Sequence, residues 1–277
     1  MLDLTFDTET TGVYVKGLGF GHPQQPHIVQ LGLVLSERAV PERIHHRIQL
    51  LIDPGPDVTI APKAQEVHGI SIEHVRAYGV TKLMALSVFV RFANLATRIV
   101  GHNLDFDLPV VLGDLLRIKS QIDWLLAKPM VCTMLSGAPV LKLPGRVPGQ
   151  PKWPSLEECV KHFYPAETWD RKEHNALEDA LVCHRVFSVM VSAKVPLLTP
   201  TGSWRPMAEG EENTTLDYGW LDEIIQLSPQ RPLDGFEKKF LGDFAERREK
   251  YGDSITISDK QRPILRRIGA KCGVTVP

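Results

Sequence analysis

A chain of 277 residues with 43% hydrophobic content is long enough to bury a sizeable core, in one domain or in one domain with an appendage. Its formal net charge of -1 excludes a global positive field, so a polyanionic partner has to be held by local groups or by bound cations. Cys132, Cys159, Cys183 and Cys272 stand apart with no C-x-x-C pair, which excludes a zinc knuckle and a disulfide framework and points to a reducing compartment.

The first predicted strand runs into "TFDTETTG", residues 5–12. Side chains alternate across a strand, so Leu2, Leu4 and Phe6 point one way while Asp7 and Glu9 share the other face. Taken alone, that pair reads as the wet face of an edge strand; as a site it needs partners from elsewhere. A loop rich in Gly and Pro follows. Its Gly17, Gly19 and Gly21 are spaced like a dinucleotide-binding turn, but Pro23 and Pro26 stand where that motif requires a helix. "HIVQLGLVLSE" and "RIHHRIQLLIDP" read as strands and complete an antiparallel meander. His45 and His46 fall on opposite faces and make no metal pair.

From "IAPKAQEVHGIS" onward the pattern is helical, with Pro62 suited to a first turn and Ser71 to a cap. "KLMALSVFVRFANLA" predicts a helix, "RIVGHN" a short strand entering a turn, and "DLPVVLGDLLRI" another helix. Asp105 and Asp107 stand where that strand gives way to the helix, a place where acids also act as caps. "LKLPGRVPGQPKWP" is a long loop carrying Lys142, Arg146, Lys152 and Trp153, and it reads equally as a solvated loop or as a nucleic-acid contact. Ser155 and Glu158 have capping-box spacing.

In "EHNALEDALVCHRVF", Asn175 and Glu178 have the spacing of a cap and its reciprocal partner, so the last core helix starts just after Asn175. His174 then lies outside the helix, on a hinge. Asp179 shares the face of Val182, Cys183 and Val186, and a carboxylate at the edge of an apolar stripe needs a compensating charge or donor. Residues 195–216 read as a Pro/Gly/polar linker after a first domain of residues 1–194. In the C-terminal extension, residues 217–277, the stripe Phe236, Phe240, Phe244 and the capping-box pair Ser258 and Gln261 predict two short helices.

Four acids from three distant segments are a burden if the fold gathers them. Two like charges about 4 Å apart repel by roughly 4 kcal/mol even at an effective dielectric of about 20. Divalent cations remove that cost, and oxygen ligands select hard ions such as Mg²⁺ or Mn²⁺. Two such ions about 3.5–4 Å apart can clamp a phosphodiester.

The motifs D-x-E-T-T-G (Asp7 to Gly12), H-N-x-x-F-D (His102 to Asp107) and H-x-x-x-x-D (His174 to Asp179) occur in an order that resembles the DEDDh 3′–5′ exonucleases, the DnaQ-like group of the ribonuclease H-like superfamily. "EVHGIS", Glu66 to Ser71, is similar to a further segment of that family, and the likeness covers residues 1–194. The resemblance implies an α/β fold with a mixed five-stranded sheet flanked by helices, here with a small helical C-terminal region. It implies that Asp7, Glu9, Asp107 and Asp179 hold two divalent cations, Mg²⁺ or Mn²⁺, and that His174 deprotonates the attacking water. Asp107 is preferred to Asp105 because the family's acid follows an aromatic, here Phe106. Thr10, Thr11 and Gly12 are implied to meet the 3′-terminal nucleotide, with His68, Gly69 and Asn103 shaping the same pocket.

The expected substrate is single-stranded DNA with a free 3′ end, cut to nucleoside monophosphates in replication, proofreading or repair. The rival substrate is a short RNA or tRNA end. A non-catalytic module binding nucleic acid or a polymerase is the rival of another class, and the full set of acids with the histidine speaks against it. The C-terminal extension is expected to meet a polymerase, another replication protein, a second copy or the substrate strand. No basic-then-apolar leader opens the sequence and no apolar run nears membrane-spanning length, so a cytoplasmic protein is expected. The tail also resembles those of some phage-encoded exonucleases, which would make it a host's cytoplasm.

Overall fold

The computed structural model describes residues 1–15, 17–37, 43–145, 151–168, 174–202, 219–251 and 261–276. Arg146 and Ser258, read above as a loop cation and a helix cap, lie outside them. The chain divides into two compact units, Met1–Tyr14 with Leu18–Pro206, and Val15–Gly17 with Met207–Pro277.

Among the described residues the first unit is built on six strands: β1 (Leu2–Thr10), β2 (Ile28–Glu37), β3 (Ile44–Asp53), β4 (Val80–Thr81), β5 (Arg98–Gly101) and β6 (Met130–Cys132). They form one mixed sheet in the order β4-β3-β2-β1-β5-β6. The first three are the expected antiparallel meander, with Asp7 opposite Gly32 and Glu9 opposite Gln30. Strands β4, β5 and β6 join in parallel. The sheet has six strands where five were expected, and the two that the pattern did not place, β4 and β6, are 2 and 3 residues long, too short to show any period.

Eight helices accompany this sheet among the described residues: α1 (Pro62–His68), α2 (Ile72–Tyr78), α3 (Lys82–Leu95), α4 (Leu104–Arg117), α5 (Asp123–Leu126), α6 (Thr133–Leu141), α7 (Leu156–Phe163) and α8 (Ala176–Ser192). Four of them, α1, α2, α7 and α8, start at the residues predicted to open or cap them. Pro62 opens α1. Ser71 Oγ accepts from His74 N–H, and Ser155 and Glu158 complete a reciprocal capping box at α7. Asn175 Oδ1 accepts from the N–H groups of Leu177 and Glu178 at α8.

Alternation along β1 sets the two faces. Leu4 and Phe6 are fully buried with Leu86 and Phe89 of α3 and Leu108 and Leu112 of α4, and the Phe6 and Phe89 rings meet edge-on at 5.4 Å. The opposite face carries Asp3, Thr5, Asp7 and Glu9 beneath α8. Asp3 there is paired with Arg98, whose guanidinium lies 4.7 Å from the Phe187 ring of α8.

The loop of residues 18–27 is fastened to α4. Phe20 is buried, and Arg117 donates to the carbonyls of His22, Gln25 and Pro26. Asp114 lies fully buried among Lys82, Arg117 and the Ile28 N–H. Burial pushes its carboxyl up, but His27, Lys82 and that N–H outweigh burial and hold it at about 2. The first residues of the expected linker, 195–202, run along this same unit. The Cys132 N–H donates to the Leu198 carbonyl at 2.8 Å, and the Leu198 N–H to Ser136 Oγ at 2.9 Å.

Among its described residues the second unit contains three α-helices, α9 (Gly219–Leu227), α10 (Gly235–Tyr251) and α11 (Arg262–Cys272), where two were expected. Leu221 and Ile224 of α9 share a core with Leu241, Phe244, Leu265 and Ile268. The phenylalanine stripe climbs from surface to core, from Phe236 at 58% exposure to Phe244 at 2%. Buried Glu237 forms a reciprocal cap with Asp234 and takes Arg267 and Lys271 as partners. No helix among the described residues is long and apolar enough to cross a membrane.

Candidate active site

The site lies at the carboxyl end of β1, where β5 has already stopped pairing with it. β5 matches β1 only at Asp3, Leu4 and Thr5, so the strand edge beyond is open. Asp107, in the first turns of α4, fills that opening. Its Oδ1 accepts from the Thr8 N–H at 3.1 Å and from the Thr8 hydroxyl at 2.6 Å. The turn that delivers it has Asn103 in the left-handed region, with φ 65°, a conformation asparagine tolerates better than most residues.

Glu9 and Asp179 are both buried, and His174 stands at their rim. One ligand atom from each of the three lies within 4.8 Å of the others. His174 Nδ1 is 3.3 Å from Asp179 Oδ2, with the imidazole 64% exposed and the carboxylate only 9%. The acid is thus fixed on α8 while the ring sits on the hinge ahead of it. That hinge is itself tied down, because the His174 N–H donates to the Val67 carbonyl at 3.2 Å. Asp7 is partly buried on the same β1 face as Glu9, and its charge reaches the Cys183 thiol of α8.

The electrostatics show what this gathering costs. Burial raises the Glu9 carboxyl from the ordinary 4.5 to about 8; His174 opposes the rise, while Asp179 and Asp107 add to it. Burial likewise raises Asp107 from 3.8 to about 7 against the two Thr8 hydrogen bonds, with a further push from Asp179. Glu9 Oε1 is buried with no hydrogen-bond partner among the described residues. Asp3, on the same face, is fully paired by Arg98. A native protein seldom leaves a buried carboxylate oxygen unsatisfied, and the groups around this one are carboxylates with one imidazole. Such a set fits a hard divalent cation.

The remaining sequence-predicted residues surround this centre, with much of their polarity spent inside the protein. Thr10 Oγ1 donates to the Gly12 carbonyl at 2.6 Å, and Thr11 Oγ1 accepts from the His27 N–H at 2.9 Å. His68 Nδ1 accepts from the Ile70 N–H, so the proton sits on Nε2, which faces the Thr10 carbonyl at 3.2 Å. Burial also pushes its pKa down, so it is a neutral brace between α1 and the end of β1. Gly69 closes α1 in the left-handed region. Asp105, the fallback ligand, is committed elsewhere: it accepts from Thr201 N–H, Thr201 Oγ1 and Gly202 N–H at 2.9–3.1 Å.

Gln30, Gly32, Thr8 and His102 are positioning residues to which the sequence reading gave no role. Gln30 Oε1 accepts from the Ala176 N–H at 2.8 Å, holding the start of α8 over β2. A Cβ on Gly32 would lie 2.1 Å from the Ala176 carbonyl oxygen, so only glycine admits α8 this close to Asp7 and Glu9. The signal was present: a glutamine and a glycine two apart interrupt the apolar run "IVQLGLVLSE". His102 Nε2 faces the Pro154 carbonyl at 3.1 Å and Nδ1 faces Thr133 Oγ1 at 2.9 Å; burial takes its pKa down to about 4, so the ring is neutral.

These features agree with the comparisons to known proteins. The fold is similar to E. coli Exonuclease I in complex with a 5cy-dA13 oligonucleotide, at 18% identity and TM-score 0.54 over 69% of this chain and 40% of that one. The zinc-bound form of the E. coli Exonuclease I complex with single-stranded DNA gives 18% identity and TM-score 0.55, with the same coverage of 69% and 40%. This chain thus spans about two fifths of the length of Exonuclease I, and at these identities the likeness is one of fold. No curated protein sequence matches the chain. The sequence profile of the exonuclease family, RNase_T, matches residues 4–187, well over half of the chain, and the protein belongs to that family.

Proposed function

We propose that this exonuclease removes nucleoside monophosphates from the 3′ end of single-stranded DNA by cation-assisted hydrolysis, as a member of the histidine-bearing DEDDh subtype. The observation that carries the reading is the convergence of Glu9, Asp107 and Asp179 beside His174, with a buried Glu9 oxygen that lacks a partner among the described residues. The single-stranded DNA in the Exonuclease I complexes supports the choice of substrate.

Asp7, Glu9, Asp107 and Asp179 would hold the cations, with Mg²⁺ or Mn²⁺ the ions their oxygens favour. Bound there, the cations would lower the pKa of water and offset charge on the scissile phosphate. The chain's own residues supply the rest. Asp179 orients the His174 ring through Nδ1, and the ring takes the proton of the attacking water on Nε2. The turn from Thr10 to Gly12, braced by neutral His68, offers backbone to the terminal nucleotide, with Asn103 across the site.

Incubating the protein with end-labelled single-stranded DNA and RNA, with Mg²⁺, Mn²⁺ or EDTA, tests this directly. Mononucleotides should appear from the 3′ end of DNA, only with cation, and Asp7→Ala should abolish them. His174→Ala should slow turnover by about 10²–10⁴-fold. Degradation of RNA in preference to DNA, release from the 5′ end, or turnover in EDTA would overturn the reading.

A further inference from the structure

Lys152, Trp153 and Pro154 close the loop between α6 and α7, and their backbone is held on both sides. Pro154 is buried against α6, its Cγ 3.3 Å from where a Cβ on Gly137 would stand. Its carbonyl accepts from His102 Nε2 at 3.1 Å, and the Ser155–Glu158 capping box follows at once. On the other side the Lys152 N–H donates to the Leu143 carbonyl at 2.9 Å. A residue before proline is confined to extended backbone. Trp153, between these anchors, has little freedom.

Its side chain is nevertheless 60% exposed, and among the described residues the indole takes part in no ring stack or hydrogen bond. A scattered exposed apolar residue needs no explanation. This one differs in location: the carbonyl of the next residue is bonded to His102, which adjoins Asn103 and feels the charge of Asp179. His102 immediately precedes Asn103, the cap of the helix that delivers Asp107, so the tryptophan is anchored next to the turn that builds the site. Lys152 is not assigned the same part, because its ammonium pairs with Glu158 at 2.6 Å.

We propose that Trp153 is a stacking platform for a base of the single-stranded DNA substrate, held by the His102–Pro154 contact at the rim of the active site. The proposal rests on the exonuclease reading and adds a named contact to the strand. A base finds a π-face there whatever its identity, and a rigid aromatic loses little conformational freedom on binding. Aromatic platforms for single strands are sequence-tolerant, which suits an enzyme that must accept any sequence.

Two substrates separate this contact from the chemistry: a single-stranded dodecathymidylate, and thymidine 5′-(p-nitrophenyl phosphate), which carries no further base. Trp153→Ala should raise KM for the oligonucleotide by on the order of tenfold, leaving kcat and turnover of the chromogenic ester unchanged. Trp153→Phe should recover most of the affinity. Titration of the protein with the oligonucleotide in EDTA should quench tryptophan fluorescence less in Trp153→Phe than in the parent. An unchanged KM and equal quenching would overturn the platform, as would an equal loss on both substrates, which would mean the residue acts through the fold. If the unaltered protein turns over neither substrate, the exonuclease reading fails, while the fluorescence titration still decides whether Trp153 meets single-stranded DNA.

Discussion

Three acids in this fold, Asp3 and Glu9 buried and Asp105 partly exposed, show how differently a carboxylate can be satisfied. Asp3 has a two-pronged arginine, Asp105 three donors from residues 201 and 202, and Glu9 an oxygen with no donor among the described residues. Asp105 and Asp107 are two residues apart in one helix turn, yet only Asp107 turns toward β1. Asp105→Ala should therefore keep kcat on labelled single-stranded DNA within a few-fold of the parent, since it loosens only a strap. Asp107→Ala should remove turnover. The opposite ranking would show that the strap donors had been mistaken for Asp105's only duty. The preference for Asp107 rested on the aromatic before it, whereas the Thr8 donors that hold it lie 99 positions away. Local spacing carries no information about such a partner.

Helix α8 brings the second half of the site, and its seat on the sheet depends on one missing Cβ. In Gly32→Ala the new carbon would meet the Ala176 oxygen at 2.1 Å, the Ala176 carbonyl carbon at 2.2 Å and the Leu177 nitrogen at 2.4 Å, all of them backbone. Overpacking of this kind costs about 1–3 kcal/mol and moves what is packed against it. What moves is the turn that carries Asp179 and the hinge of His174. Expected are a lower Tm and a fall in kcat at temperatures where the variant is fully folded; Gly12→Ala, whose Cβ has 3.9 Å to its nearest neighbour, should keep its Tm. Full kcat in folded Gly32→Ala would show that α8 does not need this seat. The long elements were legible because caps and periodicity are local: Ser71, Ser155 and Asn175 each start a helix where the sequence placed a cap. Strand β4 escaped because 2 residues cannot display an alternation, and α9 because its apolar stripe is matched by residues distant in sequence, among them Leu241, Phe244, Leu265 and Ile268.

For the whole molecule, the gathered acids make stability depend on pH in an unusual direction. A carboxyl whose pKa rises on folding binds more protons in the folded state than in the unfolded one between the two values. Glu9, raised from 4.5 to about 8, and Asp107, from 3.8 to about 7, therefore contribute stability in full below about pH 4 and lose it as pH climbs toward 8. Asp114, held at about 2, has the opposite sign, and its contribution is lost only as pH falls below about 4. Without cations, the protein should thus lose stability across the neutral range while Asp114 stays satisfied. Cations compete with the same protons, so Mn²⁺ should raise Tm more at pH 8 than at pH 5. Replacing Glu9 by Gln removes the buried charge but keeps the volume. The variant should melt several degrees above the parent at pH 8 in EDTA, yet gain less from Mn²⁺. Thermal melts of both proteins at the two pH values measure all of this. An equal Mn²⁺ shift at pH 5 and pH 8, or a Glu9→Gln protein less stable than the parent in EDTA at pH 8, would mean that burial does not make these acids hold their protons, and the electrostatic basis of the site would fall with it.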